Sequence, residues 1–307
     1  MKVLIINNLV SGRRDGGIFD FMRMLSRDRD ELVVRNTDGT TPVETLLDDA
    51  HAFDLVVVSG GDGTIASACY CLRGTGLPVL PFPAGTGNLL VANLEQPEYA
   101  MAISNMARSP VALDFDLGEI CFNGADGPAT KGFAVIAGAG FDAAIMENAQ
   151  RLKENLGITA YVAAALANPQ PAVAHFTITL DERTIECDGI AALVLNFAKI
   201  YPDISITHEN DARDGLFEVV IVKPHNTVEL LPALVAAFLD RTGGFPGRTD
   251  ALEIHTGRRI RVESDPPLRI QHDGEPTGAT TPFTAEVLPN ATRLVVTEEV
   301  FERLSLP

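Results

Sequence analysis

Residues 55–59, Leu-Val-Val-Val-Ser, form one continuous apolar run, and Gly60-Gly61-Asp62-Gly63-Thr64 follows it directly. An apolar run without alternation predicts a strand covered on both faces, as in a parallel sheet flanked by helices. Glycines behind such a strand let backbone approach a ligand closely. Gly63-Thr64 then opens a helix, predicted over residues 64–72, whose first N–H groups lack intrahelical partners and suit phosphate oxygens. Asp62 fits less simply, because a carboxylate repels phosphate. It either works with a divalent cation or removes a proton, or it caps the helix of an ordinary strand-to-helix turn.

The same design recurs nearby. Residues 79–82 form another buried run, followed by Pro83-Ala84-Gly85-Thr86-Gly87-Asn88 and a helical region predicted from residue 89 to about 108. Residues 3–6 predict the first strand, and Asn8-Leu9-Val10-Ser11-Gly12 is the turn behind it. Between these lie an amphipathic stretch at 18–25, a strand at 32–35 and a short helix at 42–50 with proline in its first turn. Alternating strands and helices imply a parallel sheet with helices on both sides. Ligands on such sheets bind at the carboxyl ends of strands. The loops after Ile6, Ser59 and Phe82 are therefore expected to share one face as a three-walled cradle.

After about Pro110 the pattern changes to short strands with frequent turns, at 115–122, 132–136, 175–180, 184–186, 191–197, 216–222, 251–255, 258–262, 268–272 and 283–288. Helices are predicted at 142–155, 161–167 and 228–239. This predicts an antiparallel, sandwich-like or barrel-like second domain. The expected division is an α/β domain over 1–115 and a β-rich domain over 116–292, with the strand and short helix of the tail, 293–307, returning to the first.

The chain has 24 Lys and Arg against 41 Asp and Glu, a formal net charge of −17. That balance argues against nucleic acid as a partner, since duplex affinity comes from neutralising phosphates with basic side chains. No apolar run reaches the ~18 residues of a transmembrane helix, and the N-terminus has no signal-type apolar region. The four cysteines, Cys69, Cys71, Cys121 and Cys187, form no C-x-x-C pair and are expected to be free thiols in the cytoplasm. There is no G-x-x-x-x-G-K-[ST] loop, no H-R-D or D-F-G pair, and no G-x-G-x-x-G after the first strand. These absences exclude a P-loop NTPase and a protein kinase and weaken a dinucleotide oxidoreductase.

Gly60-Gly61-Asp62-Gly63-Thr64 with Pro83-Ala84-Gly85-Thr86-Gly87-Asn88 resembles the diacylglycerol kinase catalytic domain family, which includes bacterial lipid kinases and sphingosine kinases and is distantly related to NAD kinases. Further motifs agree in order: Asp116-Leu117-Gly118, Gly138-Ala139-Gly140-Phe141-Asp142-Ala143, Asp214-Gly215-Leu216-Phe217 and Asp273-Gly274-Glu275-Pro276. The resemblance covers nearly the whole chain. Leu9 stands where the family usually has proline, Ile65-Ala66-Ser67 replaces a common L-N-E, and residues 197–201 replace a glycine run.

This resemblance implies that Asn8, Ser11, Gly12, Thr37, Gly60, Gly61, Asp62, Gly63, Thr64, Gly85, Thr86 and Asn88 line an ATP site. It implies a structural Mg²⁺ at Asp211, Asp214 and the Leu216 carbonyl; an ordinary solvated acidic turn is the competing reading of that segment. Glu275 is implied as the proton acceptor, with Asp273 beside it and Asp62 as the third catalytic carboxylate. His272, next to Asp273, reads as an incidental strand residue. The expected activity is ATP- and Mg²⁺-dependent transfer of the γ-phosphoryl group to a lipid hydroxyl, in the cleft between the two domains. Alternatives are a soluble-substrate kinase of the NAD kinase type and a nucleotide-binding regulatory protein without transfer. A lipid substrate implies peripheral contact at the inner membrane face, for which the apolar stretch 230–239 is the candidate surface. A homodimer is compatible with the sequence.

Overall fold

The computed structural model describes residues 1–12, 16–26, 31–140, 173–201, 204–207, 210–223 and 252–305. The helices expected at 142–155, 161–167 and 228–239, the Phe141-Asp142-Ala143 end of one motif and the apolar stretch 230–239 lie outside the described residues. The chain divides into two compact units, Met1–Leu117 with Pro289–Pro307, and Gly118–Leu288.

In the first unit, β1 (Lys2–Asn8), β2 (Glu31–Thr37), β3 (Leu55–Gly60) and β4 (Pro78–Pro83) form a parallel sheet in the order β2-β1-β3-β4. Residues Arg293 and Leu294, late in β18 (Phe283–Val296), pair in parallel with Pro78 and Val79 of β4. Every residue of β3 is buried, as its unbroken apolar run requires. Val3, Ile5, Leu55, Val57, Leu80 and Phe82 share a core with Ile18, Phe21 and Leu25 of α1 (Gly17–Leu25) and Ile103 and Ala107 of α4 (Ala100–Arg108). The intervening residues Leu4, Ile6, Val56 and Val58 are equally buried, so both sheet faces are covered. Each such side chain contributes about 1.5–3 kcal/mol of burial.

Local chemistry decides where helices start and stop. The helix expected at 42–50 is two 3₁₀ turns, Val43–Leu46 and Ala50–Ala52. Arg35 ends the first by donating to the Leu46 carbonyl at 2.7 Å, and its other terminal nitrogen reaches Asp49 at 2.8 Å. The helical region expected from 89 to 108 is broken into α3 (Leu89–Asn93) and α4. Pro97 lacks an N–H and disfavours helix in the residue before it. Glu95 adopts a positive φ of 51°, and Gln96 instead donates its side-chain amide to the Pro81 carbonyl at 2.7 Å. Two further helices are described in this unit, α2 (Asp62–Cys71) and α5 (Glu298–Ser305).

The second unit is an antiparallel sandwich. One sheet runs β14 (Leu252–Gly257), β13 (Phe217–Val222), β10 (Ala191–Leu195), β7 (Ile136–Gly140), β16 (Arg269–His272) and β17 (Glu275–Thr280). The other layer holds β9 (Arg183–Gly189), β8 (Ala174–Leu180), β15 (Arg259–Asp265) and residues 283–286 of β18, together with the hairpin of β6 (Gly127–Phe133) and residues 118–124 of β5 (Val111–Gly124). A small pair, β11 (Lys199–Tyr201) and β12 (Ile204–Ser205), stands apart. Side chains from both layers fill the core, among them Phe133, Phe176, Ile178, Phe217, Val219 and Ile260, with the Phe133 and Phe217 rings stacked at 5.4 Å.

Three expectations change here. The strand predicted at 132–136 is the end of β6 and the start of β7, separated at Ala134-Val135, whose N–H groups bind a side chain instead of a neighbouring strand. β17 was not expected as a strand, because Glu275-Pro276 reads as a motif and not as alternation. The strands expected at 283–288 and in the tail are one 14-residue strand, β18.

Candidate active site

Three loops leave the carboxyl ends of β1, β3 and β4, and they touch through bare backbone. Gly12, at φ +57°, lies so near the β4 loop that a Cβ there would fall 1.7 Å from the Ala84 carbonyl oxygen. A Cβ on Gly85 would fall 2.5 Å from the Cα of Gly61, and one on Gly61 would lie 3.5 Å from Ser11 Oγ. At Gly12 and Gly85 only glycine permits this approach, whereas the 3.5 Å at Gly61 is an ordinary contact distance. Hydrogen bonds fix the arrangement. The Asn8 side chain accepts the Val10 N–H at 3.1 Å and donates to Thr64 Oγ1 at 2.9 Å, joining the first loop to α2. The Ala84 N–H donates to the Gly60 carbonyl at 3.3 Å. Asn88, in the left-handed region, accepts the Gly85 N–H at 2.9 Å.

Asp62 opens α2 and is 9% exposed. Its Oδ1 accepts the Leu90 N–H at 2.9 Å, in the first turn of α3, and a Cβ on Gly87 would come 3.1 Å from its Oδ2. The carboxylate therefore links the second and third loops, a duty that neither the cation nor the local-cap reading anticipated. The first intrahelical bond of α2 runs from the Ile65 N–H to the Gly61 carbonyl at 3.1 Å, so the N–H groups of the preceding turn stand at a helix N-terminus, where anions bind. Thr37 is 3% exposed. Its hydroxyl accepts the Gly39 N–H at 3.1 Å and donates to the Thr41 carbonyl at 3.2 Å, while its own carbonyl accepts the Leu9 N–H at 2.9 Å. It holds the first loop from behind. Thr86 is exposed at the tip of the third.

The acidic candidates of the second unit lie in two turns. Asp273 and Gly274 both have positive φ, 45° and 78°, the signature of a type I′ turn joining β16 to β17. Asp273 is buried at 6% exposure, and its carboxylate accepts backbone N–H groups from Ala134 at 2.7 Å, Val135 at 2.8 Å and Ile136 at 3.0 Å. Glu275 is exposed and pairs across the turn with His272. Burial, with Lys131 nearby, holds the His272 imidazole down to about 4, so it is neutral at pH 7. Asp211 and Asp214 are exposed. The Asp214 N–H donates to the Asp211 carbonyl at 3.3 Å, and Asp214 Oδ1 accepts the Leu216 N–H at 2.8 Å. These residues meet as one turn ahead of β13. Among the described residues no group of three or more His, Cys, Asp or Glu gathers around a metal position.

Other motif members serve packing. Asp116 Oδ1 accepts the Asn290 N–H at 2.7 Å, and Gly118 leaves room for the Phe133 ring, which a Cβ would meet at 2.1 Å. Sequence reasoning missed Asn196, which is fully buried and donates its side-chain amide to the Ala134 carbonyl at 2.8 Å. An amide at the end of the apolar run 191–195 was the signal available.

Residues 2–120 match the diacylglycerol kinase catalytic domain family, and residues 135–296 match the YegS C-terminal NAD kinase beta sandwich-like domain. A diacylglycerol kinase of Mycobacterium tuberculosis is 27% identical over 238 residues, 74% of this chain and 72% of that protein. An uncharacterized protein of Synechocystis sp. is 27% identical over 251 residues, 79% of this chain; the chain spans only 55% of that relative's length. A crystal structure of a diacylglycerol kinase from Bacillus anthracis str. Sterne superposes with a TM-score of 0.69 at 17% identity, covering 97% of this chain and 98% of that one. Yeast NADH kinase complexed with NADH reaches 0.55 at 13% identity, covering 99% and 86%. These structures share the fold. The paired domain matches, in the order in which the α/β and sandwich units occur, show that the chain belongs to the diacylglycerol kinase catalytic domain family, with a YegS-type C-terminal domain.

Proposed function

We propose that this protein is an ATP- and Mg²⁺-dependent kinase that transfers the γ-phosphoryl group to a lipid hydroxyl, diacylglycerol-like or sphingoid-like. The observation that carries this reading is the contact of three glycine-bearing loops at the carboxyl ends of β1, β3 and β4. These loops, together with the N-terminus of α2, are suited to cradle phosphate oxygens through backbone N–H groups. Asn8, Ser11, Gly12, Gly60, Gly61, Gly63, Thr64, Gly85, Thr86 and Asn88 form its walls, and Thr37 supports it from behind.

Phosphoryl transfer depends on positioning, charge neutralisation and a base for the attacking hydroxyl. Asp62 belongs to the cradle and is the carboxylate there that can face a cation. Mg²⁺, when bound, would neutralise the phosphate oxygens. Asp211 and Asp214, which share one turn, are with the Leu216 carbonyl oxygen donors of the kind a structural Mg²⁺ would take together with water. Glu275 is exposed directly after the two-residue turn and is suited to accept the proton of the lipid hydroxyl. A lipid acceptor calls for contact with a membrane surface, proposed here as peripheral; no helix among the described residues is long and apolar enough to cross a membrane.

The test is incubation of purified, folded protein with γ-labelled ATP, Mg²⁺ and, separately, diacylglycerol, a sphingoid base and NAD. The expected result is labelled lipid. Labelled NADP without labelled lipid would assign the soluble-substrate activity instead, an outcome kept open by the fold shared with yeast NADH kinase. Tight ATP binding with no transfer to any acceptor would assign a regulatory nucleotide binder.

A further inference from the structure

Between β6 and β7 the backbone leaves its ladder, and its polar groups are held from both sides by residues distant in sequence. Asp273 Oδ2 accepts the Ala134 N–H at 2.7 Å, and Oδ1 accepts those of Val135 and Ile136 at 2.8 and 3.0 Å. The Asp273 N–H returns a bond to the Ile136 carbonyl at 2.8 Å. On the other side, Asn196 Nδ2 donates to the Ala134 carbonyl at 2.8 Å, and the N–H groups of Asn196 and Phe197 reach the Val135 carbonyl at 2.9 and 3.2 Å. Every N–H and C=O of residues 134–136 is thereby bonded. Asp273 is 6% and Asn196 0% exposed, so water does not compete for these bonds.

A general base must reach the proton it removes. Asp273 is buried and both of its oxygens are engaged, whereas Glu275, two residues on, is exposed. We propose that Asp273 is a positioning residue and not the proton acceptor: with Asn196 it clamps residues 134–136 to the β16–β17 turn and so fixes where Glu275 stands. The role of Glu275 rests on the kinase reading above; the clamp does not.

The proposal is tested with wild type, Asp273→Asn, Asn196→Ala and Glu275→Gln. Two quantities are measured: amide hydrogen exchange at residues 134–136, and transfer from labelled ATP to a short-chain diacylglycerol across pH. Asp273→Asn keeps the shape but turns an NH₂ toward an N–H that needs an acceptor. Expected is faster exchange at 134–136 in Asp273→Asn and Asn196→Ala, and wild-type exchange in Glu275→Gln. The kcat should fall about 100-fold and about 10-fold in the first two, the scale of a small misplacement, with KM for ATP unchanged. Both should keep the acid limb of the pH–rate profile, and Glu275→Gln should lose it. If Asp273→Asn loses that limb while its exchange and melting stay wild-type, Asp273 is the proton acceptor and the proposal fails. If wild type labels no lipid, the kinase reading fails, and unchanged exchange in Asp273→Asn would separately refute the clamp. Should Asp273→Asn not fold, Asn196→Ala carries the same comparison, and wild-type exchange there would overturn the proposal.

Discussion

The cradle of the first unit and the turn of the second solve the same problem, holding a loop still at a strand end, by opposite means. The cradle does it by omission. Gly12 and Gly85 carry no side chain, so backbone packs on backbone where the loops meet. The turn at Asp273-Gly274 is held by buried polar side chains whose partners are backbone groups up to 139 residues away. At Gly12 and Gly85 the first design tolerates no added atom, and the second tolerates no lost one.

The largest effect is expected from deletion in the second region. Asp273→Ala would leave three buried N–H groups without their acceptor, at about 1–3 kcal/mol for each unsatisfied group. A loss of roughly 3–5 kcal/mol, read from urea unfolding, is expected. A loss below about 1 kcal/mol would mean the turn does not depend on its side chain.

Acid should act on the same region. The native His272 titrates at about 4 because of burial and Lys131, and an unfolded histidine titrates near 6.5. Between those values the unfolded chain binds the proton and the native one does not, so stability falls as pH drops through 6.5 toward 4. About 2 kcal/mol should be lost from this group by pH 5. His272→Gln should remove that part of the slope, and an unchanged slope would contradict the buried neutral imidazole.

Addition should damage the cradle. Gly85→Ala places a Cβ 2.5 Å from the Cα of Gly61 and should cost about 1–3 kcal/mol by overpacking. Calorimetry should show weakened ATP binding in this variant, and wild-type affinity would break the contrast. The smallest effect is expected for Asn8→Ala, which removes two partly exposed hydrogen bonds worth about 1 kcal/mol together.

The two regions also differ in how legible they are from sequence. Strands β1, β3 and β4 are built on apolar runs, and a glycine needed for close approach is visible as a glycine. Pro97 announces the break between α3 and α4, yet the helical pattern on either side hides it. The clamp is hidden for a different reason. Asp273 and Asn196 look like a motif carboxylate and a strand-end amide, and nothing local says that both serve residues 134–136. Asp273-Gly274 did carry a hairpin signal, but a motif reading drew attention to its charge. Asp62 was recognised as unusual, while its bond to the Leu90 N–H depends on α3 starting beside it, which only the fold supplies.

The central claim, that this cradle and this carboxylate serve phosphoryl transfer to a lipid, is tested most directly by one measurement. Folded wild type and Glu275→Gln are given the same labelled ATP, Mg²⁺ and diacylglycerol or sphingoid base, and labelled lipid is counted. The account predicts labelled lipid from wild type and none above background from Glu275→Gln. No labelled lipid from wild type, or equal amounts from both, would contradict it.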